Sequence, residues 1–347
     1  MKALFVGLGS IGQRHLRNLL RLVPDVEVSA VRRTRSVPLL SDTNQIVHGK
    51  SVTECYGLIE YESLDMALEH APDLVFVTNP SNLHCETAAR ALDGSAYIFL
   101  EKPLSIDLAS SYALLAKEQA KGQKKIAVGY QFRFHPALLL VKSLLQDHRI
   151  GRIVGARMVN GEYMPGWHPY EDYRKSYAAR RELGGGALMT QCHDFDCAIW
   201  LFGEPQHIFA VGGQLSSLEV DVEDSVQILM SCQHDGMPVP VSVSLDYLQW
   251  PAQRGFSIVG EEGCIDCDLI KAEVILSNRS TEKIERYEFP DFIRNEMFVN
   301  QMRNFLNFAA NKGDPAVGLQ AGILSVRAAI SAQQSLEKQC AIDLRGG

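Results

Sequence analysis

Gly7, Gly9 and Gly12 stand at the spacing G-x-G-x-x-G directly behind an apolar run at residues 3–6. That pattern can cradle a pyrophosphate. Gly7 permits a tight turn out of a strand, Gly9 removes the Cβ that would collide with a phosphate, and Gly12 lets a helix pack closely on the sheet. Leu16, Leu19, Leu20 and Val23 then fall at i, i+3, i+4 and i+7, so a helix is predicted to open at once. Its first N–H groups, those around Ser10 and Ile11, and its positive dipole end would face the phosphates. The competing reading is a glycine-rich turn with no ligand. Arg32 lies 20 positions after Gly12, where an acidic residue would bind the ribose 2′-hydroxyl of NAD. The chain instead reads Arg32, Arg33, Thr34, Arg35, Ser36. A planar guanidinium suits a 2′-phosphate, so NADP(H) is favoured over NAD(H). The missing carboxylate also counts against an S-adenosylmethionine site.

The elements around this loop predict a parallel sheet. Short apolar runs at 26–31, 74–77, 97–100 and 126–129 alternate with helical patterns at 63–70, 82–92 and 105–120. A further short strand is placed near 58–60. After residue 150 the grammar changes. Val239, Val241, Val243, Leu245 and Tyr247 alternate with polar or proline positions, the period of a half-buried antiparallel strand. Similar strands are predicted near 152–163, 207–213, 224–232, 255–260 and 264–269, and helices near 187–202, 294–311 and 316–337. The fold class is therefore α/β followed by α+β. A Rossmann dinucleotide-binding domain at 1–125 precedes a domain at 126–347 with a large, mostly antiparallel open sheet, and the last helix is allowed to pack back on the first domain.

Length and charge narrow the function. A chain of 347 residues suggests about two domains of ~150 residues each. The net charge of −7 argues against nonspecific nucleic-acid or membrane-surface binding. No apolar run approaches the ~20 residues a membrane span needs. The first strand begins at the N-terminus, so no signal peptide is expected. Eight scattered cysteines point to a reduced, cytoplasmic setting. Cys264 and Cys267 form a single C-x-x-C without a second ligand pair, so no metal is expected.

Three further stretches complete the pattern: Thr78-Asn79-Pro80-Ser81-Asn82-Leu83-His84, Glu101-Lys102-Pro103, and Gly184-Gly185-Gly186 followed by His193. Together with the glycine loop, Gly129-Tyr130-Gln131-Phe132-Arg133 and Gly260 to Gly263, they resemble the Gfo/Idh/MocA oxidoreductases over nearly the whole chain. The resemblance implies a nicotinamide cofactor at the domain interface and hydride exchange with a sugar or polyol. It implies that Lys102 sits beside the nicotinamide and the reacting oxygen. An ammonium there would stabilise charge developing on oxygen. The Lys102–Pro103 bond is a candidate for cis. His193 would exchange the hydroxyl proton, as an imidazole can near neutral pH. The family pattern has an aspartate four residues before this histidine. Here position 189 is Met, and Thr190 falls nearest that slot, at i, i+3 to His193 on one helix face. Threonine can orient a hydroxyl or imidazole but supplies no charge, so Asp194 or Asp196 is the alternative helper. Thr78, Asn79, Pro80, Asn82 and His84 should line the nicotinamide end, with Gln131, while Glu101 contacts the cofactor or fixes the Lys102 loop.

Residues 161–181 are dense in aromatic and basic groups, and Pro165, Gly166 and Pro169 make the segment loop-like. A long loop leading to the catalytic helix reads as a specificity element. Tyr163, Trp167, Arg133 and Arg180 are the expected substrate contacts beside Lys102 and His193. Stacking aromatics and gripping arginines suggest an anionic sugar, such as a sugar nucleotide, sugar acid or nonulosonate-like compound. A subunit-contact arm is the competing role. Two other functions stay open: a non-catalytic cofactor sensor on the same fold, and a dihydrodiol- or biliverdin-type reductase. The open sheet predicts a homodimer or homotetramer.

Overall fold

The computed structural model describes residues 1–32, 38–168 and 170–345. The first half builds β1 (Lys2–Val6), α1 (Ser10–Leu22), β2 (Glu27–Val31), α2 (Val52–Tyr56), β3 (Ile59–Tyr61), α3 (Leu64–Glu69), β4 (Leu74–Val77), α4 (His84–Ala91), β5 (Tyr97–Glu101), α5 (Leu108–Ala120) and β6 (Ile126–Gly129). Its strands form one parallel sheet in the order β3-β2-β1-β4-β5-β6. The direction of winding reverses between β1 and β4, and ligands collect at the carboxyl ends of strands at such a switch point. The boundary drawn at 125/126 cuts this sheet, because β6 is its sixth strand, paired to β5 through Ile98 and Ile126.

The second half builds α6 (Pro136–Gln146), β7 (Ile153–Gly161), α7 (Ala187–Thr190), α8 (His193–Phe202), β8 (Pro205–Gly213), β9 (Ser225–His234), β10 (Met237–Asp246), β11 (Gln253–Gly260), β12 (Gly263–Asp268), β13 (Glu273–Asn278), β14 (Lys283–Glu288), α9 (Asn295–Ala309), α10 (Leu319–Lys338) and β15 (Ile342–Asp343). Nine strands make one sheet, β14-β13-β12-β11-β7-β10-β9-β8-β15, with β7 and β10 its parallel pair. Alternate residues of its central strands are buried, as the period-2 pattern requires. The outward residues include Val154, Phe209, Val211, Leu229 and Val259, all exposed.

The closing helices tie the halves together. Met302, Phe305 and Phe308 of α9 belong to the core under the first sheet, and Phe305 meets the rings of Phe76 and Phe99 at 5.4 Å each. In α10, a Cβ on Gly322 would stand 3.0 Å from Leu104 and Val128, so the bare backbone allows this helix to lie against the first sheet. Among the described residues no helix is long and apolar enough to cross a membrane.

Candidate active site

The glycine turn follows β1 at the switch point. Gly7 has φ +96, and a Cβ there would fall 2.8 Å from the backbone of Thr78 and Asn79. Gly12 lies against the turn itself, 2.6 Å from the Gly7 carbonyl on the same test. Thr78 locks the arrangement by donating its hydroxyl to the Gly7 carbonyl at 2.6 Å. Gly9 differs: a Cβ there would meet nothing within 4 Å. Protein packing therefore gives no reason for glycine at position 9, whereas a phosphate against the backbone would. No side chain caps α1 and no acidic residue sits in its first turn, so its N–H groups stay available to an anion. The Asn79 amide oxygen is buried without a protein partner. These features fit a dinucleotide, held by Gly7, Gly9, the first turn of α1 and Asn79.

Of the other residues expected here, several hold the loops rather than the space. His84 is buried between two carbonyls, Asn79 O and Pro103 O, each 2.8 Å from a ring nitrogen. It ties the β4 loop to the lysine loop and is not placed for ligand contact. Asn82 and Pro80 are exposed at the rim. Glu101 accepts from the Lys102 N–H at 2.9 Å and pairs with His15 at 2.7 Å. Arg32 pairs with Glu60 of β3 at 3.0 Å, and its side chain is only 4% exposed. That geometry leaves little of the guanidinium for a 2′-phosphate. Arg33 lies outside the described residues.

Lys102 meets the segment that leads to His193 at a break in its helix. The single helix expected at 187–202 is two, α7 and α8. Asp194 N bonds to Gln191 O at 3.0 Å rather than to Thr190 O, and the freed Thr190 carbonyl accepts from Lys102 Nζ at 2.9 Å. Thr190 thus serves Lys102 through its backbone. It does not share a helix face with His193, and its hydroxyl is buried without a partner. The Lys102–Pro103 bond is cis. Burial pulls the Lys102 ammonium down, but Tyr177, Cys192 and Glu101 outweigh it, and its pKa lies above the ordinary lysine value. Burial, then Lys102, Arg254 and Arg294, holds His193 well below the usual histidine range, so its ring is neutral. Burial pushes the neighbouring Cys192 thiol up to about 11, which removes it as a nucleophile.

Gln131, expected on the cofactor, faces His193 instead, with its amide nitrogen 3.2 Å from Nε2. The His193 Nδ1 is buried without a protein partner. The amide thus selects the tautomer: N–H toward Nε2 leaves the proton on Nδ1, and oxygen toward Nε2 leaves a lone pair there. Gln301 of α9 fixes that strut. With its amide oxygen turned inward it accepts from Tyr130 N at 2.9 Å and Gln131 N at 3.2 Å.

The carboxylates after His193 are spoken for. Arg133 binds Asp196 through two bonds of 2.8 and 2.9 Å, so Arg133 is a strut and not the substrate contact expected of it. Asp194 accepts from Asn160 at 2.8 Å and Arg254 at 2.9 Å. In the aromatic arm, Trp167 packs edge-on against Tyr247 at 5.1 Å, with its indole N–H buried and unpartnered. Tyr163 is exposed, and Arg180 lies 3.6 Å from Asp221, turned toward that carboxylate. The expectation of Arg180 as a substrate grip is not supported by this placement.

His15, Arg254, Arg294 and Gln301 were missed. His15 left a trace: it is a polar residue inside the apolar stripe of α1, three positions after Gly12. The others lie 60 or more residues beyond His193 and carry no local motif.

Comparison with known proteins agrees with this fold. Residues 1–130 match the family model described as an oxidoreductase family with an NAD-binding Rossmann fold, and residues 138–266 match the GFO/IDH/MocA C-terminal domain. Myo-inositol 2-dehydrogenase of Thermotoga maritima is 25% identical over 98% of this chain and 97% of its own length. Inositol 2-dehydrogenase of Salmonella typhimurium is 24% identical over 79% of this chain and 76% of its own length. The WlbA dehydrogenase of Bordetella pertussis, solved with NADH and UDP-GlcNAcA, superposes with a TM-score of 0.79 at 20% identity, covering 100% of this chain and 99% of that one. An aldose-aldose oxidoreductase of Caulobacter crescentus gives 0.81 at 20% identity, covering 99% of each chain. The chain belongs to the Gfo/Idh/MocA oxidoreductase family, with an NAD-binding Rossmann domain and a dehydrogenase's place among its relatives.

Proposed function

We propose that this oxidoreductase interconverts a hydroxyl and a carbonyl on a sugar derivative that carries an anionic group. The observation that carries the reading is the Lys102 ammonium held at 2.9 Å on the Thr190 carbonyl, three residues from His193, whose Nδ1 lacks a protein partner. A bound nicotinamide supplies or accepts the hydride. Lys102 holds positive charge at the substrate oxygen, where negative charge grows as the carbonyl is reduced. With the Gln131 amide oxygen turned to a protonated Nε2, the neutral His193 presents a lone pair on Nδ1, takes the hydroxyl proton there during oxidation, and as imidazolium returns it during reduction. Glu101 and His15 couple the lysine loop to α1, so the cofactor helix and the ammonium share one frame.

The relatives named inositol dehydrogenases and the neighbour solved with UDP-GlcNAcA support a polyol or sugar substrate. For the cofactor, the Arg32–Glu60 pair favours NAD(H) over the NADP(H) preference expected from the arginine run. The exposed apolar face of the large sheet supports a homodimer or homotetramer, and a monomer by light scattering would remove that assignment. The central test is Lys102→Met. It should lower kcat by about 10²–10³ or more while NADH affinity stays within about two-fold, as expected for loss of one charge-stabilising donor. Turnover surviving within a few-fold would sink the role given to Lys102.

A further inference from the structure

Two cations beside His193 have no part in that reaction. Arg254, the second residue of β11, holds its guanidinium 3.8 Å over the Phe132 ring, and Phe132 meets His193 edge-on at 5.2 Å. One nitrogen of Arg254 binds Asp194, while its Nε is buried without a partner. Arg294 immediately precedes α9. It is solvent-accessible, and among the described residues it makes no hydrogen bond or ion pair. Its chain neighbour Asn295 accepts from Arg14 of α1 at 3.1 Å, which sets Arg294 where the dinucleotide helix meets the second domain. Arg294 is exposed yet crowded by protein, which together with Arg254 lowers its pKa, and both arginines lower that of His193 after its own burial. The carboxylates nearby are Asp194, already bound to Arg254, and the exposed Glu162 near Arg294. With Lys102 and its neighbour Glu101 the charges balance, and Arg294, which bonds to no carboxylate among the described residues, is the cation left open to an anion.

We propose that Arg254 and Arg294 form an oxyanion-recognising wall of the substrate cleft, gripping a carboxylate or phosphate carried by the sugar. The inference rests on the anionic-sugar reading above and moves its physical basis. Within the arm at 161–181, Arg174 is held by Asp172 and Glu219 and Arg180 faces Asp221, so these two are not free for the grip expected from sequence. An oxyanion against Arg254 would satisfy its orphaned Nε, and a guanidinium pair offers bidentate geometry that an ammonium lacks.

The test is calorimetric binding of glucuronate, glucose 6-phosphate and glucose to the NADH-loaded full chain. The wild type should prefer at least one anionic sugar over glucose by 10-fold or more, and the anion preferred tells carboxylate from phosphate. Arg294→Ala should erase about 10- to 100-fold of that preference. Arg254→Lys, which keeps a cation on the buried Asp194, should erase part of it. A wild type that binds anions no better than glucose overturns the anionic-sugar reading and the wall with it. Anion preference that survives both substitutions within two-fold overturns the wall alone. An equal loss of NADH affinity in Arg294→Ala assigns that arginine to the cofactor and also overturns the proposal.

Discussion

The glycine turn at 7–12 and the glycine triplet at 184–186 each introduce a helix that carries part of the site, yet the space at Gly9 is opposite in kind to that at the triplet. In the triplet, a Cβ on Gly184 would come 2.4 Å from Ile106, on Gly185 2.4 Å from the Tyr177 carbonyl, and on Gly186 2.3 Å from the Glu223 carboxylate. Glu223 then caps α7, accepting from Leu188 N at 3.1 Å. Every one of these glycines is explained by protein atoms. Gly9 is explained by none. Glycine enrichment alone does not separate a ligand cradle from a tight packing joint. Emptiness around the Cβ position does so only at the mouth of an uncapped helix, as at Gly9; Gly166 and Gly236 are equally empty and stand in exposed turns.

The contrast can be broken by substitution. Gly185→Ala drives a methyl into two backbone carbonyls that cannot swing away. It should cost about 3 kcal/mol or more in denaturant unfolding, the upper range for overpacking. A loss below about 1 kcal/mol would mean the joint is looser than described. Gly9→Ala should do the reverse. The position has φ −66, open to alanine, so stability should hold within about 0.5 kcal/mol. Titrated with NADH and NADPH, the variant should bind both about 10- to 100-fold more weakly, roughly 1.4–2.7 kcal/mol. Affinity unchanged by the methyl would remove the phosphate from that space. The same titration of the wild type ranks the two cofactors, and tighter NADPH binding would return the 2′-phosphate role to the arginines after β2.

The smallest effect is expected from pH, and it sharpens what the triplet is for. It leads through α7 to His193, whose pKa is depressed well below 6.5 by burial and then by three cations. A base with a lowered pKa stays deprotonated as pH falls. The kcat/KM for alcohol oxidation should therefore stay flat from pH 8 to 6.5, with its acid limb below that. A limb centred at 6.5 or above would mean His193 is not the proton acceptor.

Much of the scaffold was legible because periodicity is local. The alternation around 239–247 and the strand-helix rhythm of the first 130 residues each report one face of one element. Neither β13 nor β14 is among the predicted strands; in β14, Lys283, Glu285, Arg286 and Glu288 blur the alternation. Those charges suit an edge strand, where they discourage pairing with another chain. The helix break at Gln191–Cys192 was invisible for a different reason. It depends on a lysine 88 residues away taking the carbonyl that a continuous helix would use. Arg133 misled for the same reason: nothing in its neighbourhood announces that Asp196 will consume its fork. At the site, the groups that define its own motif were readable, and the long-range partners that decide each side chain's freedom were not.

The placement of α9 bears on how this molecule can be taken apart. Its aromatic residues supply one wall beneath the nucleotide-binding strands, while Gln301 on the same helix braces the strut behind His193. A fragment ending before this helix would present bare phenylalanine rings to water and would remove the brace on the segment that carries Gln131, the partner of His193. Any chimera that borrows the dinucleotide half for a new substrate must carry these distant fifteen residues along with it.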